Sequence, residues 1–455
     1  MSRLIVIGAG ISGLTSAFWA QRAGWDVTVL EAASVPGGTM RTIREKGWLV
    51  ETGPNSALET TPVFGEMFRL LGIESERLYA SAESNKRYVL RDGMLHPIPM
   101  SPGGFLATRL WSTRGKLRLL KEPLIGRGSK EETIAEFVER RLGRELLDYG
   151  INPFVAGVYA GNPEQLSVRS AFPKLYALEE KYGGLIKGMI KGARERKKRA
   201  EVAKDRARMF SFAQGMQRFP EAVASSLGKR IFYGAPVRSI EAQAAIGTGT
   251  PRFRVNTTGG MSVEGDAVVL GVPAYAASEL LRPHAPALAA LLEKVYYPPV
   301  AEVFLGFHRT QCGRPLDGFG YLIPAREKRK ILGTIWSSII FPDRAPADHV
   351  ALTTFVGGSR QPELLALDDA QLQEVVLGEL GKIMNVAGAP VFSRIYRWER
   401  AIPQYNIGYQ NIVDAIERLE REIPGLFICS NYRGGIAVGD CVMNGKKTAE
   451  RLSQS

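Results

Sequence analysis

Three glycines in the stretch Gly8-Ala9-Gly10-Ile11-Ser12-Gly13 follow directly on an apolar run, and an acid, Glu31, stands eighteen residues beyond Gly13. Those residue types at that spacing suit the binding of phosphates. Gly8 permits a tight turn, Gly10 lets a pyrophosphate approach the backbone, and Gly13 lets a helix pack closely on a strand. The helix N-terminus then turns its free N–H groups toward the anion. Glu31 is placed to accept a hydrogen bond from a ribose 2′-hydroxyl, which disfavours a 2′-phosphate. Six residues alone would be weak evidence, but the context completes the pattern. Arg3 to Ile7 reads as a buried strand, a helical run extends to about Ala23, and Asp26 to Leu30 reads as a second strand ending at Glu31. This βαβ unit is a dinucleotide site.

A second glycine-rich turn lies far along the chain, in SNYRGGIAVGDCVMNG from Ser430 to Gly445. Pro424 to Cys429 (PGLFIC) reads as a buried strand before it, and Cys441 to Leu452 reads as a helix after it. A turn of this kind offers backbone N–H groups and a positive dipole end to an electron-rich group. No other GxGxxG occurs, so a second dinucleotide fold, for a nicotinamide cofactor, is not expected. The four histidines and three cysteines show no metal-ligand spacing and no disulfide framework, which points to a reducing compartment and no metal site. No Ser/His/Asp or Cys/His set offers a nucleophile with its base.

The elements that must position these turns come from a chain of 455 residues, long enough for about three domains. The first twenty residues have the look of a signal peptide, but glycines 8, 10 and 13 fit a strand–turn–helix better. No apolar stretch of membrane-spanning length appears, so a soluble or peripheral protein is expected. The net charge of +13 is concentrated. Ala107 to Lys130 holds seven basic residues and one acid, and Lys181 to Phe210 holds eleven and three. Both windows mix Lys and Arg with aliphatic and aromatic residues, the composition of a membrane-surface segment. A solvated helix face is the plainer alternative. No recognition motif accompanies the charge, so nucleic acid is not expected as a partner.

Several segments carry a resemblance. Gly37-Gly38 with Arg41 directly behind the βαβ unit resembles the GG-motif of the FAD-dependent amine oxidase and desaturase superfamily, and Glu51-Thr52-Gly53-Pro54-Asn55 resembles the turn that follows it. GVYAGNPEQLSVRSAFP (157–173), FPDRAP (341–346), TTFVGGSRQPEL (353–364) and NYRGGIAVGDCV resemble the protoporphyrinogen oxidase family, over essentially the whole chain from Val6 to Leu452. The sister coproporphyrinogen III oxidases share much of this pattern, so both substrates stand open.

The resemblance implies an α/β fold, α+β overall, in three domains. A discontinuous Rossmann-type FAD domain would comprise 1–58, 211–272 and 392–455. A mixed-sheet substrate domain would comprise 59–96 and 273–391, and a helical, membrane-facing domain 97–210. It implies non-covalent FAD as cofactor. Gly8, Ala9, Gly10, Ile11, Ser12, Gly13, Glu31, Ala32, Gly37, Gly38, Arg41, Gly53, Pro54, Asn55 and Ser56 would contact it. So would Val237 at the adenine, Trp398 beside the flavin, and Ile436, Ala437 and Val438 along the isoalloxazine and ribityl chain. Arg87 would pair with a substrate propionate, since a planar guanidinium suits a carboxylate. Leu322, Ile335 and Phe355 would line the macrocycle's pocket, with Gly161 on a loop near its centre.

The reaction implied is a six-electron oxidation of a porphyrinogen in heme biosynthesis, in three FAD cycles with O₂ or another acceptor. The flavin carries the chemistry, and no catalytic side chain is assigned. A cytoplasmic location on the inner membrane face follows from the resemblance, and a homodimer is a compatible assembly. An amine oxidase, a carotenoid-type desaturase and a flavin-containing scaffold without turnover are the rival readings. Cys429 lies near the region of a flavin-linking cysteine, but its context CSNYRGG does not resemble the linkage motif.

Overall fold

The computed structural model of the chain describes residues 1–196, 207–242 and 253–453. It is an α/β structure organised by two large sheets. The first is parallel and five-stranded, in the order Ile231–Phe232, Asp26–Leu30, Arg3–Ile7, Ala267–Leu270, Leu426–Ile428. Its strands read as short unbroken apolar runs such as AVVL and LFI because both faces of such a sheet are covered. Helix Ile11–Arg22 leaves the end of the central strand as expected. The later helix begins at Val438, earlier than Cys441, so Val438 opens the helix and Ala437 is its cap residue. These two helices touch closely: a Cβ on Gly445 would lie 2.7 Å from the Cβ of Thr15.

The second sheet has seven strands, in the order Phe392–Trp398, Val300–His308, His349–Gly357, Gly333–Ile335, Gly320–Leu322, Arg87–Arg91, Met94–Pro97. All neighbours are antiparallel except Gly320–Leu322 with Arg87–Arg91. Side chains alternate between its faces. One face, with Val303, Leu305, Val350 and Leu352, packs against Leu372, Val376 and Leu380 of helix Asp369–Met384. At one end of the other face lies the hairpin of Thr42–Glu45 and Trp48–Glu51. Trp48 stacks on Phe392 at 5.3 Å and sits over Gly306, where a Cβ would come within 2.3 Å of its ring. The strand Phe392–Trp398, placed in sequence at the start of the third cofactor segment, is thus an edge strand of this sheet.

The region 97–210 is mainly helical, and charge holds it together internally. Arg141 has no exposed surface; it donates to Glu122 Oε1 at 3.1 Å and Glu179 Oε2 at 3.0 Å. The same Glu122 Oε1 accepts the N–H of Leu185 at 2.7 Å, at the start of helix Leu185–Arg196. One buried cluster therefore ties together parts of both basic windows. Residues 197–206 of the second window lie outside the described residues. Among the described residues no helix is long and apolar enough to cross a membrane, and no cluster of His, Cys, Asp and Glu could hold a metal ion.

Candidate functional site

The glycine turn after Ile7 is shaped by backbone contacts that exclude side chains. Gly8 has φ +99°, which favours glycine, and a Cβ on Gly13 would lie 2.1 Å from Gly8 O. A Cβ on Gly10, by contrast, would meet nothing nearer than 4.0 Å. The space in front of Gly10 is open, and helix Ile11–Arg22 has no side chain capping its N-terminus. Ile11, Ser12 and Gly13 form its first turn. An uncapped helix end facing open space fits a pyrophosphate.

Glu31 is fixed at the end of its strand. Its Oε2 accepts the N–H of Ala9 at 2.6 Å and its Oε1 that of Ala33 at 2.7 Å, past Ala32. Gly37 and Gly38 have φ +114° and +59°, and Gly37 N–H donates to Ala9 O at 2.8 Å. The GG-loop is therefore laid directly on the first turn. Arg41 Nε donates to Gly38 O at 2.9 Å. A Cβ on Gly53 would lie 1.9 Å from Thr39 O, so the turn Gly53-Pro54-Asn55-Ser56 is packed backbone to backbone on the GG-loop. Asn55 Nδ2 donates back to Gly53 O at 3.3 Å. Val237 opens a separate small antiparallel sheet rather than continuing the strand Ile231–Phe232. The tightly bonded turns around the open space before Gly10 fit FAD, without a side chain that would block the diphosphate.

The late glycine turn is clamped by tyrosine. Tyr405 OH donates to Asn431 O at 2.6 Å and accepts from Gly435 N–H at 3.1 Å, so it holds both ends of the segment that leads into Ile436, Ala437 and Val438. Tyr409 OH donates to Tyr432 O at 2.7 Å. Trp398 donates its indole N–H to Thr52 O, one residue before Gly53. Cys429 is buried, with its Sγ 3.8 Å from Ser12 O.

The expected substrate residues share one face of the seven-stranded sheet. Leu322 opposes Gly333, which opposes Phe355; Ile335 opposes Gly320, which opposes Arg87. Directly opposed residues point to the same side, so Arg87, Leu322, Ile335 and Phe355 lie together. Gly161 is connected to this face through the helix before it. It follows helix Asn152–Tyr159, whose Gly157 would place a Cβ 2.4 Å from Leu322 Cδ2. A Cβ on Gly161 itself would lie 2.4 Å from Gln404 Oε1. Arg87 is half-buried, lies 5.5 Å from the Phe319 ring centroid, and has no carboxylate partner among the described residues. Burial pulls its pKa down from the ordinary value, since no anion offsets the desolvation.

Three residues of this site escape sequence reasoning. Tyr405 and its neighbour Gln404 look like any polar residues of a loop. Glu302 carried a signal: it is a lone acid in the apolar strand VAEVFLGFH. A charge in a strand buried on both faces asks for an explanation.

Comparison with known proteins agrees with this architecture. The family model for flavin containing amine oxidoreductase matches residues 11–453. The chain is 33% identical over 475 residues to protoporphyrinogen oxidase 2, chloroplastic/mitochondrial, of Arabidopsis thaliana, covering 98% of this chain and 93% of that protein. It is 28% identical to coproporphyrinogen III oxidase of Bacillus subtilis (strain 168), covering 97% and 96%. A crystal structure from Exiguobacterium sp. 255-15 superposes with a TM-score of 0.82 at 26% identity, covering 100% of this chain and 99% of that one. The chain is an FAD-dependent oxidoreductase of the protoporphyrinogen oxidase family, within the flavin containing amine oxidoreductases.

Proposed function

We propose that the protein oxidises protoporphyrinogen IX to protoporphyrin IX, with loss of six electrons and six protons in three rounds and reduction of three O₂ to three H₂O₂. The observation that carries this reading is the grouping of four side chains on one face of the second sheet. Leu322, Ile335 and Phe355 give an apolar wall, and Arg87 gives it one guanidinium with no carboxylate partner among the described residues. A flat macrocycle with propionate arms suits that combination. Similarity to the plant enzyme along 98% of the chain supports the same substrate.

When bound, the flavin accepts a hydride from the substrate, which is the chemistry it supplies. The chain's residues bind and orient. Gly8 to Gly13 would hold the diphosphate, Glu31 the ribose and Val237 the adenine side, without a covalent link. Gly53 to Ser56, Trp398 and Ile436 to Val438 would border the ring system. Arg87 would hold a propionate and so set which carbon faces the flavin, and the loop at Gly161 would lie beside the substrate. The domains would follow the expected limits, with the strand Phe392–Trp398 counted to the substrate sheet.

Coproporphyrinogen III is the second reading, favoured by the likeness to the Bacillus subtilis protein. It has two further propionates to neutralise. Leu106, Leu117, Leu120 and Leu124 are exposed among the exposed cations Arg109, Arg114, Lys121 and Arg127. That pattern supports docking on an anionic membrane surface, at the cytoplasmic face.

Each porphyrinogen is mixed anaerobically with the purified holoprotein while flavin absorbance is followed. Bleaching by protoporphyrinogen faster than by coproporphyrinogen is expected. The reverse order would install the second reading, and no bleaching by either would overturn both.

A further inference from the structure

Two neighbouring residues, Ser359 and Arg360, hold both ends of helix Asn152–Tyr159. At its start, Arg360 Nη2 donates to Asn152 O at 2.8 Å and to Asn152 Oδ1 at 2.6 Å. The same Oδ1 accepts the N–H of Ala325 at 2.8 Å. At its end the chain turns at Ala160, whose φ is +48°. Ala160 O accepts the N–H of Ser359 at 2.7 Å. Gly358, with φ +67°, passes so close that a Cβ on it would lie 2.6 Å from this oxygen. Ser359 and Arg360 follow closely on strand His349–Gly357, which carries Phe355.

The other arm of Arg360 reaches the sheet. Its Nη1 donates to Ile323 O at 2.7 Å, one residue beyond Leu322. One guanidinium thus joins the helix to the strand end it lies upon. Small residues let the helix approach the sheet closely. Ala156 and Ala160 pack in a cluster with Val300, Leu332 and Phe355. Gly157 leaves no room for a methyl, since its Cβ would meet Leu322 Cδ2 at 2.4 Å. The helix therefore borders the pocket face at Leu322 and Phe355.

A simple tie would not need an arginine. No carboxylate pairs with Arg360 among the described residues, and its Nε has no hydrogen-bond partner. Burial without an anion pulls its pKa down to about 10. A charge placed in this way costs stability. What the guanidinium adds is a rigid planar fork that meets Ile323 O and Asn152 O at once, where an ammonium is a single point.

We propose that Arg360 is a positioning residue that fixes helix Asn152–Tyr159 over Leu322 and so sets which porphyrinogen the pocket accepts. This rests on the porphyrinogen reading above. A fixed helix leaves a gap of fixed width between Gly157 and the sheet face. Where protoporphyrinogen IX carries two vinyl groups, coproporphyrinogen III carries two propionates, which are longer and charged. A narrow gap favours the vinyl groups. Releasing the helix at Asn152 widens the gap and weakens the discrimination, whereas a methyl at position 157 narrows it.

The test compares kcat/KM of the holoprotein for protoporphyrinogen IX and for coproporphyrinogen III. The ratio of the two does not depend on how much of a preparation is folded, so a merely structural loss leaves it unmoved. In R360M the protoporphyrinogen-to-coproporphyrinogen ratio should fall by about tenfold. R360K keeps the charge but not the fork, and its ratio should fall part of the way. G157A leaves the bonds of Arg360 in place and should raise the ratio. Hydrogen exchange followed by mass spectrometry should quicken across residues 153–161 in R360M and stay unchanged in strand Val300–His308. If R360M does not fold, R360K and G157A carry the test. An unchanged ratio in the folded arginine variants, an unchanged or lower ratio in G157A, or wild-type exchange at residues 153–161 would overturn the proposal and leave the substrate reading intact. Failure of the wild type to oxidise either porphyrinogen would instead overturn the substrate reading, and the exchange experiment would still judge the hold of Arg360 on the helix.

Discussion

Trp398 donates its indole N–H to the carbonyl oxygen of Thr52, and so joins the edge strand of the seven-stranded sheet to the turn beside the cofactor site. The bond ties the surface expected to hold substrate to the turn expected to hold the flavin. Replacing Trp398 by Phe keeps much of the ring and leaves Thr52 O without this donor. A loss of about 1 kcal/mol is expected in FAD affinity, or about fivefold in Kd, measured by fluorescence titration of the apoprotein.

Gly53 admits no side chain, because a Cβ would lie 1.9 Å from Thr39 O. Gly53→Ala should therefore displace the GG-loop. Purified protein is expected to carry little FAD while its far-ultraviolet circular dichroism stays close to that of the wild type. Full flavin content in the variant would contradict this packing.

Arg87 has no carboxylate partner among the described residues, so its removal frees no buried acid. Arg87→Ala should raise KM for a porphyrinogen by about tenfold to a hundredfold, the value of a charge-assisted hydrogen bond, and leave melting temperature nearly constant. Steady-state kinetics beside a thermal melt separates the two effects.

The turns around Gly10 were legible in the sequence because backbone geometry dictates residue type. A position with φ +99°, or a contact that leaves no room for Cβ, accepts little but glycine, and glycine is visible in any sequence. The strands of the first sheet were legible for a similar reason, as short apolar runs between turn residues. Glu302 was different. That its Oε2 stands buried and unpartnered on the strand between Phe355 and Tyr396 depends on a strand order no local pattern encodes. The resemblance groups residues 392–398 with the late cofactor segment, whereas the strand Phe392–Trp398 pairs with Val300–Gly306, a long-range partner that no local pattern announces. Tyr405 likewise acquires its role only when residues 431–435 fold back upon it.

Glu51 bears on stability. Its folded-state pKa, about 7, lies above its unfolded value of 4.5, so the folded state binds the extra proton between those values. Its contribution is fully present below about pH 4.5 and is lost as pH rises through about 7. Glu51→Gln should flatten the fall in stability between pH 5 and pH 8 that urea denaturation of the wild type would record.

Arg141 has no exposed surface and binds two acids that are themselves buried, Glu122 and Glu179. Arg141→Met leaves both without this partner, and a loss of about 3–5 kcal/mol is expected. Because Glu122 also meets the start of helix Leu185–Arg196, binding to anionic vesicles should fall with it. Sedimentation with vesicles, beside calorimetry, would register both.

The closeness of Gly445 to Thr15 has a consequence for biosynthesis. The strand Arg3–Ile7 and helix Ile11–Arg22 leave the ribosome long before Leu426–Ile428 and Val438–Leu452, which complete their sheet and cover. At ordinary elongation speeds the interval is roughly 20–80 s. During that time the nascent chain presents an apolar sheet edge and an unfinished cradle. FAD capture is then expected only once Leu426–Ile428 and Val438–Leu452 have emerged and packed against the early strand and helix.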